Sequence, residues 1–120
     1  MRFEGSCHCG AVRFAVDEAP QWLTLCNCSS CRRRGGLWAH FGSDKVSLTF
    51  EPDAVMRYIW GDKTLANVFC KTCGCNTHWE NLDTTPGARM GLNFSMCEPK
   101  TLEGLRIRRF DGADTWEFLD

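Results

Sequence analysis

The sequence predicts a mainly β domain built of small antiparallel sheets, with little helix, held together by metal. Three observations carry that prediction. Apolar and polar residues alternate with period two through much of the chain, as strands with one buried face require. No stretch of helical length shows an apolar stripe. Nine cysteines occur in 120 residues, most of them in three tight clusters.

Val12, Phe14 and Val16 alternate with Ala11, Arg13 and Ala15 and predict a first strand. Val46, Leu48 and Phe50 predict a second. Segments 55–60 and 65–69 are rich in β-branched and aromatic residues, and Gly61-Asp62-Lys63 between them predicts a hairpin. Met90, Leu92 and Phe94 predict another strand. A last one is expected over Leu105, Ile107 and Phe110, with Arg106 and Arg108 on its open face. Turns are expected at 17–20, 51–53, 83–87 and 111–112. Helix is expected only as single turns, at Ser29–Arg34 and Pro99–Glu103. With no linker and no repeat, residues 1–120 read as a single domain.

Composition excludes several functions. Fourteen Lys and Arg against fifteen Asp and Glu give a net charge of −1, without the basic excess of a polyanion binder, so no nucleic-acid partner is expected. The 43% hydrophobic and 24% charged content is that of a folded chain. No apolar run approaches the roughly 18–20 residues that span a bilayer, so no membrane partner is expected either. The opening Met-Arg-Phe-Glu-Gly has no apolar signal core, which predicts a cytoplasmic protein. An odd number of cysteines cannot all pair within one chain, and in a reducing compartment such clusters bind metal.

The spacing divides the thiols. Cys70-x-x-Cys73 offers two sulfurs around a tight turn, Cys7-x-Cys9 two on one face of an extended segment, and each pair is followed by Gly. Together they make four thiolates, the closed tetrahedral set of a structural zinc. Cys26, Cys28 and Cys31 form a local trio, and three ligands with one open position is the pattern of a catalytic zinc. Spacing alone leaves another pairing open, with Cys26 and Cys28 joining Cys70 and Cys73. A structural zinc contributes on the order of 10–16 kcal/mol of apparent binding free energy. A whole domain is stable by only about 5–15 kcal/mol, so the metal outranks the core.

Gly5-Ser6-Cys7-His8-Cys9-Gly10, Cys26-Asn27-Cys28-Ser29-Ser30-Cys31 and Phe69-Cys70-Lys71-Thr72-Cys73-Gly74-Cys75 together resemble the glutathione-dependent formaldehyde-activating enzyme family, also called the GFA or CENP-V domain family. The closing segment 109–117 is similar to its members as well. The resemblance implies an Mss4-like, β-tent fold. It implies one zinc on Cys7, Cys9, Cys70 and Cys73 and a second on Cys26, Cys28 and Cys31, hence two zinc ions per chain. It also implies carbon–sulfur lyase chemistry, the condensation of formaldehyde with glutathione, so the expected partners are a small thiol such as glutathione and an aldehyde. The alternative is a zinc-stapled binding module without activity.

Thiolate ligands leave zinc soft enough to accept one thiolate more, which would fix the thiol's sulfur beside the aldehyde carbon. His40, which follows the trio, is a candidate for proton transfer, and Trp38 for the pocket wall. Arg32 and Arg33 are candidates for binding the substrate's carboxylates, against the plainer reading of Arg32–Arg34 as a solvated charge run. Cys75 and Cys97 read as packed thiols, His8 as a surface or hydrogen-bonding residue and His78 as a structural one.

Overall fold

The computed structural model describes residues 2–120. Ten short strands form two sheets. The smaller holds β1 (Phe3–Ser6), β2 (Arg13–Val16) and β5 (Val46–Thr49), all antiparallel. The larger contains β3 (Leu23–Cys26), β4 (Trp38–Gly42), β6 (Val55–Tyr58), β7 (Leu65–Cys70), β8 (Asn76–Asn81), β9 (Arg89–Asn93) and β10 (Ile107–Phe110). Their order across the sheet is β10-β3-β4-β9-β8-β7-β6. Among the described residues one α-helical turn, α1, spans Cys31–Arg34.

The fold is mainly β, as the alternation predicts. Strands form over four of the alternating segments, and β6 and β7 form the expected hairpin. Gly61 and Lys63 at its turn take φ of 65° and 59°. Three points differ from expectation. First, β1, β3, β4 and β8 carry no strong alternation, yet they pair. Second, β10 runs parallel to β3, so the larger sheet is not wholly antiparallel. Third, Arg108 does not lie on an open face. Its guanidinium sits 4.5 Å from the Trp22 ring and 3.9 Å from the Phe118 ring, while Ile107 is the exposed neighbour. Cation–π stacking reverses the polarity pattern of this edge strand.

The sheets pack around Phe94, which is wholly buried and stacks on Phe3 and Phe14 at 5.3 and 6.1 Å. Leu23, Ala39, Phe41, Met90, Leu92 and Cys97 complete this core. Cys97 is therefore a packed thiol, and burial pushes it up to about 11. Two glycines allow close cross-strand packing. A Cβ on Gly5 would fall 2.2 Å from the Phe14 ring opposite it, and one on Gly91 would fall 2.1 Å from the Trp79 indole. A second cluster, of Cys7, Val12, Val55, Val68 and Cys70, lies where the small sheet meets the β7–β8 corner. That corner and the free end of β3 carry the cysteines. No helix is long and apolar enough to cross a membrane among the described residues.

Candidate metal centres

The Cys7–Cys9 loop is the β1–β2 connection. Gly10 closes it at φ 87°, its amide donating to the Cys7 carbonyl at 3.1 Å. Cys70 ends β7, and Cys73 sits in the turn before β8. There the Gly74 amide donates to the Cys70 carbonyl at 2.9 Å, and Gly74 takes φ 81°. A β-bulge at Val68/Phe69 turns the strand end toward the loop. The four sulfurs lie within 4.8 Å of one another, with Cys7 to Cys9 at 3.7 Å and Cys9 to Cys70 at 3.5 Å. Amides aim at them: Val12 N–H reaches Cys7 Sγ at 3.3 Å. The amides of Cys75 and Cys9 draw the Cys73 thiol down to about 5.

The trio is built from one short stretch. Cys26 ends β3, Cys28 lies in the turn and Cys31 opens α1. Their sulfurs also lie within 4.8 Å of one another. The Cys28 amide donates to Cys26 Sγ at 3.4 Å, and the Cys31 amide to Cys28 Sγ at 3.2 Å. A hydrogen bond from Cys31, then the Cys28 and Gly112 amides, hold Cys26 down to about 5. The same partnership, with burial, pushes Cys31 up. Crowded sulfurs that compete for protons while backbone donors favour thiolate are poised for a soft cation. All nine cysteines are free thiols. Both donor sets fit zinc: the first offers four sulfurs and the second three, with no further Cys, His, Asp or Glu joining either set among the described residues.

A C-terminal loop braces the trio. Asn27 donates to Asp111 Oδ1 at 3.0 Å and accepts from the Ala113 amide at 3.0 Å, so the loop is tied to the Cys26–Cys28 turn. Gly112 lies so close that a Cβ there would stand 2.8 Å from Cys26 Sγ.

The other candidate residues fall out as follows. His40 lies away from the trio. Thr24 pairs with Trp38, and extending that register sets Cys26 opposite Gly36 and His40 about 13 Å further along. His40 packs on Trp79 and lines a separate hollow of about 410 Å³ with Trp22 and Arg89. Burial, then Arg89, lower it to about 4. Trp38, also a candidate, is buried beneath the Arg34 guanidinium at 5.9 Å. Arg32 and Arg33 are exposed, and Arg33 turns back onto the Ser29 carbonyl at 2.7 Å. Arg34, the arginine that sequence reasoning left in the charge run, is the one turned inward. Its Nη2 stands 3.8 Å from Cys31 Sγ. The three-residue step from Cys31, one helical turn, was the available signal. His8 is exposed. His78 is fully buried against Phe50, and its Nδ1 meets Thr77 Oγ1 at 2.8 Å. Cys75 is half-buried beside the quartet.

The sequence profile of the family described as glutathione-dependent formaldehyde-activating enzyme matches residues 2–102. The chain belongs to that family. A Halomonas elongata protein, named provisionally as such an enzyme, is 54% identical over 37 residues. That stretch is 30% of this chain and spans about a quarter (24%) of the relative's length. The crystal structure of a Rhodobacter sphaeroides protein superposes with a TM-score of 0.69 at 28% identity, covering 87% of this chain and 98% of that one. The loop that braces the trio lies beyond the profile match.

Proposed function

We propose that this member of the family is a zinc-dependent carbon–sulfur lyase of the S-(hydroxymethyl)glutathione synthase type, acting on adducts of a small thiol and an aldehyde. One observation carries the reading: three converging sulfurs with no fourth protein donor among the described residues, beside a saturated set of four. Cys26, Cys28 and Cys31 would hold the catalytic zinc, and Cys7, Cys9, Cys70 and Cys73 the structural one. Bound at the trio, zinc would lower the pKa of a thiol at its open position and supply thiolate at neutral pH.

The chain's own residues supply position. The Cys26 and Cys28 sulfurs are fixed by backbone amides, and Arg34 sets positive charge against Cys31. In the reaction the thiolate sulfur bonds to the aldehyde carbon. The carbonyl π electrons move onto oxygen, which takes a proton and gives the hemithioacetal. That proton comes from solvent in this reading, because His40 lies far along β4. Formaldehyde and thiols react unaided, so the gain is in thiolate fraction and proximity.

Cys28→Ser tests the proposal. The variant should keep its fold, bind one zinc per chain by elemental analysis and lose thiol-dependent hemithioacetal formation. Full activity in this variant would refute the open-site mechanism.

A further inference from the structure

Between α1 and the Cys73–Cys75 turn lies a cavity of about 380 Å³. That is within the size range of small-molecule sites, which starts at roughly 300 Å³. Phe69 and Met96 give it an apolar side, and Asn76, Asn93 and Ser95 a polar one. Arg34 projects into its wall, with one edge toward Cys31 of the trio.

The state of Arg34 is unusual. It is half-buried, yet the ion pairs among the described residues involve Arg2, Arg57 and Arg109 instead. Nε donates to Ser30 Oγ at 2.9 Å, Nη1 donates to Asn76 Oδ1, and Nη2 faces Cys31 Sγ. A guanidinium has five N–H groups, so its fork keeps donors to spare. The Trp38 and Phe69 rings flank it at 5.9 and 6.0 Å and fix its plane. The asparagines form a rigid frame. Asn76 Nδ2 donates to the Val68 carbonyl, and Asn93 accepts from the Leu37 and Ser95 amides. Gly36 keeps the space open: at φ 141°, a Cβ there would stand 3.2 Å from Asn93 Nδ2. A pre-positioned cation without a carboxylate, in a cavity beside a thiolate cluster, is built for a ligand with a carboxylate at one end and sulfur at the other.

We propose that this cavity seats a carboxylate of the thiol substrate, with Arg34 as its binding residue, and so selects carboxylate-bearing thiols over neutral ones. The proposal rests on the open-site reading for the destination of the sulfur. The carboxylate seat itself does not need metal.

The probe is therefore S-methylglutathione, which keeps both carboxylates and has no free thiol, titrated calorimetrically into the zinc-loaded protein. Arg34→Met should weaken its binding by roughly tenfold or more. Ser95→Asp, a change at an exposed residue of the cavity rim, should do the same by repulsion while leaving the fold intact. Binding of 2-mercaptoethanol, read from the spectrum of cobalt in the trio, should change by less than about twofold in Ser95→Asp, and in Arg34→Met it should weaken far less than binding of S-methylglutathione, since it carries no group for the fork. The proposal is overturned if S-methylglutathione fails to bind the wild type or binds both variants as tightly. It is also overturned if the variants lose both ligands equally, because Arg34 would then act only by positioning Cys31. If 2-mercaptoethanol leaves the cobalt spectrum unmoved while S-methylglutathione still depends on Arg34, the seat stands and the open-site reading fails.

Discussion

The quartet and the trio are made of the same atoms at similar spacing, yet they are joined to the chain in opposite ways. Cys7 and Cys9 meet Cys70 and Cys73 across 60 intervening residues, and two of the four are buried. Closing that site fixes the small sheet against the β7–β8 corner. The trio spans six residues, all three of its thiols are half-buried, and it closes nothing larger than one turn. Metal held at the quartet would thus be linked to global folding, whereas metal held at the trio would be linked to a local loop. A structural ion and an exchangeable one need that division.

The largest expected effect comes from breaking the quartet. Cys70→Ser removes a buried thiol of the quartet from the second core cluster. Lost zinc affinity on the order of 10 kcal/mol is comparable to the whole stability of a domain, about 5–15 kcal/mol. The variant should lose cooperative thermal unfolding and both metals, whereas Cys28→Ser should keep its transition and lose one. A folded Cys70→Ser chain holding one zinc would erase the distinction between the sites.

Acid tests the same half of the molecule. His78 packs on Phe50, which borders the quartet's cluster, and burial lowers it to about 4 from an ordinary 6.5. Between those values the unfolded chain binds a proton that the native His78 refuses. Stability therefore falls as pH drops from 6.5 to 4 and is level above 6.5 as far as this group is concerned. The span is about 3 kcal/mol. His78→Gln should flatten the acid limb by that amount, read as the difference between denaturant titrations of the two proteins at each pH. Metal release at low pH is common to both and cancels. Equal slopes would mean that His78 titrates normally.

Much of this was legible in the sequence, and the failures have physical causes. Cysteine spacing is local chemistry, so the three clusters could be read before any fold was known, but spacing left their pairing open and only the fold brings Cys7 and Cys9 to Cys70 and Cys73. Strand pairing is not local. Asn76-Thr77-His78-Trp79-Glu80-Asn81 carries no apolar alternation, yet β8 is an interior strand. Its first three residues are buried, with Asn76 spending its amide on the Val68 and His78 carbonyls and Thr77 Oγ1 meeting His78 Nδ1. The parallel seat of β10 left no pattern, since its outward Ile107 and inward Arg108 invert the usual code. Arg34 was hidden among three arginines, and only the turn of α1 separates it from its neighbours.

At the trio, a local disturbance should stay local. Gly112→Ala would drive a methyl to 2.8 Å from Cys26 Sγ, and the loop carrying it is pinned through Asn27. A misplaced ligand or its support typically costs about 10–100-fold in metal affinity. Competition with a chelator should show that loss at the second zinc alone, with the first zinc and the melting temperature close to wild type. Release of both together would mean that the loop supports the whole fold.

The smallest effect should come from Cys75, and it separates the two sites most finely. Cys75 lies two residues beyond Cys73 and packs against the same cluster, but the four sulfurs that converge do not include it. If the quartet is saturated, a fifth thiol has nothing to bind, and Cys75→Ser should hold two zinc ions per chain. Exchanging one half-buried sulfur for a hydroxyl costs about 1 kcal/mol or less when the site is partly wet. Elemental analysis beside a thermal melt decides the matter. A drop to one zinc, with a melt as damaged as that of Cys70→Ser, would make Cys75 a ligand and force one of the assigned four out.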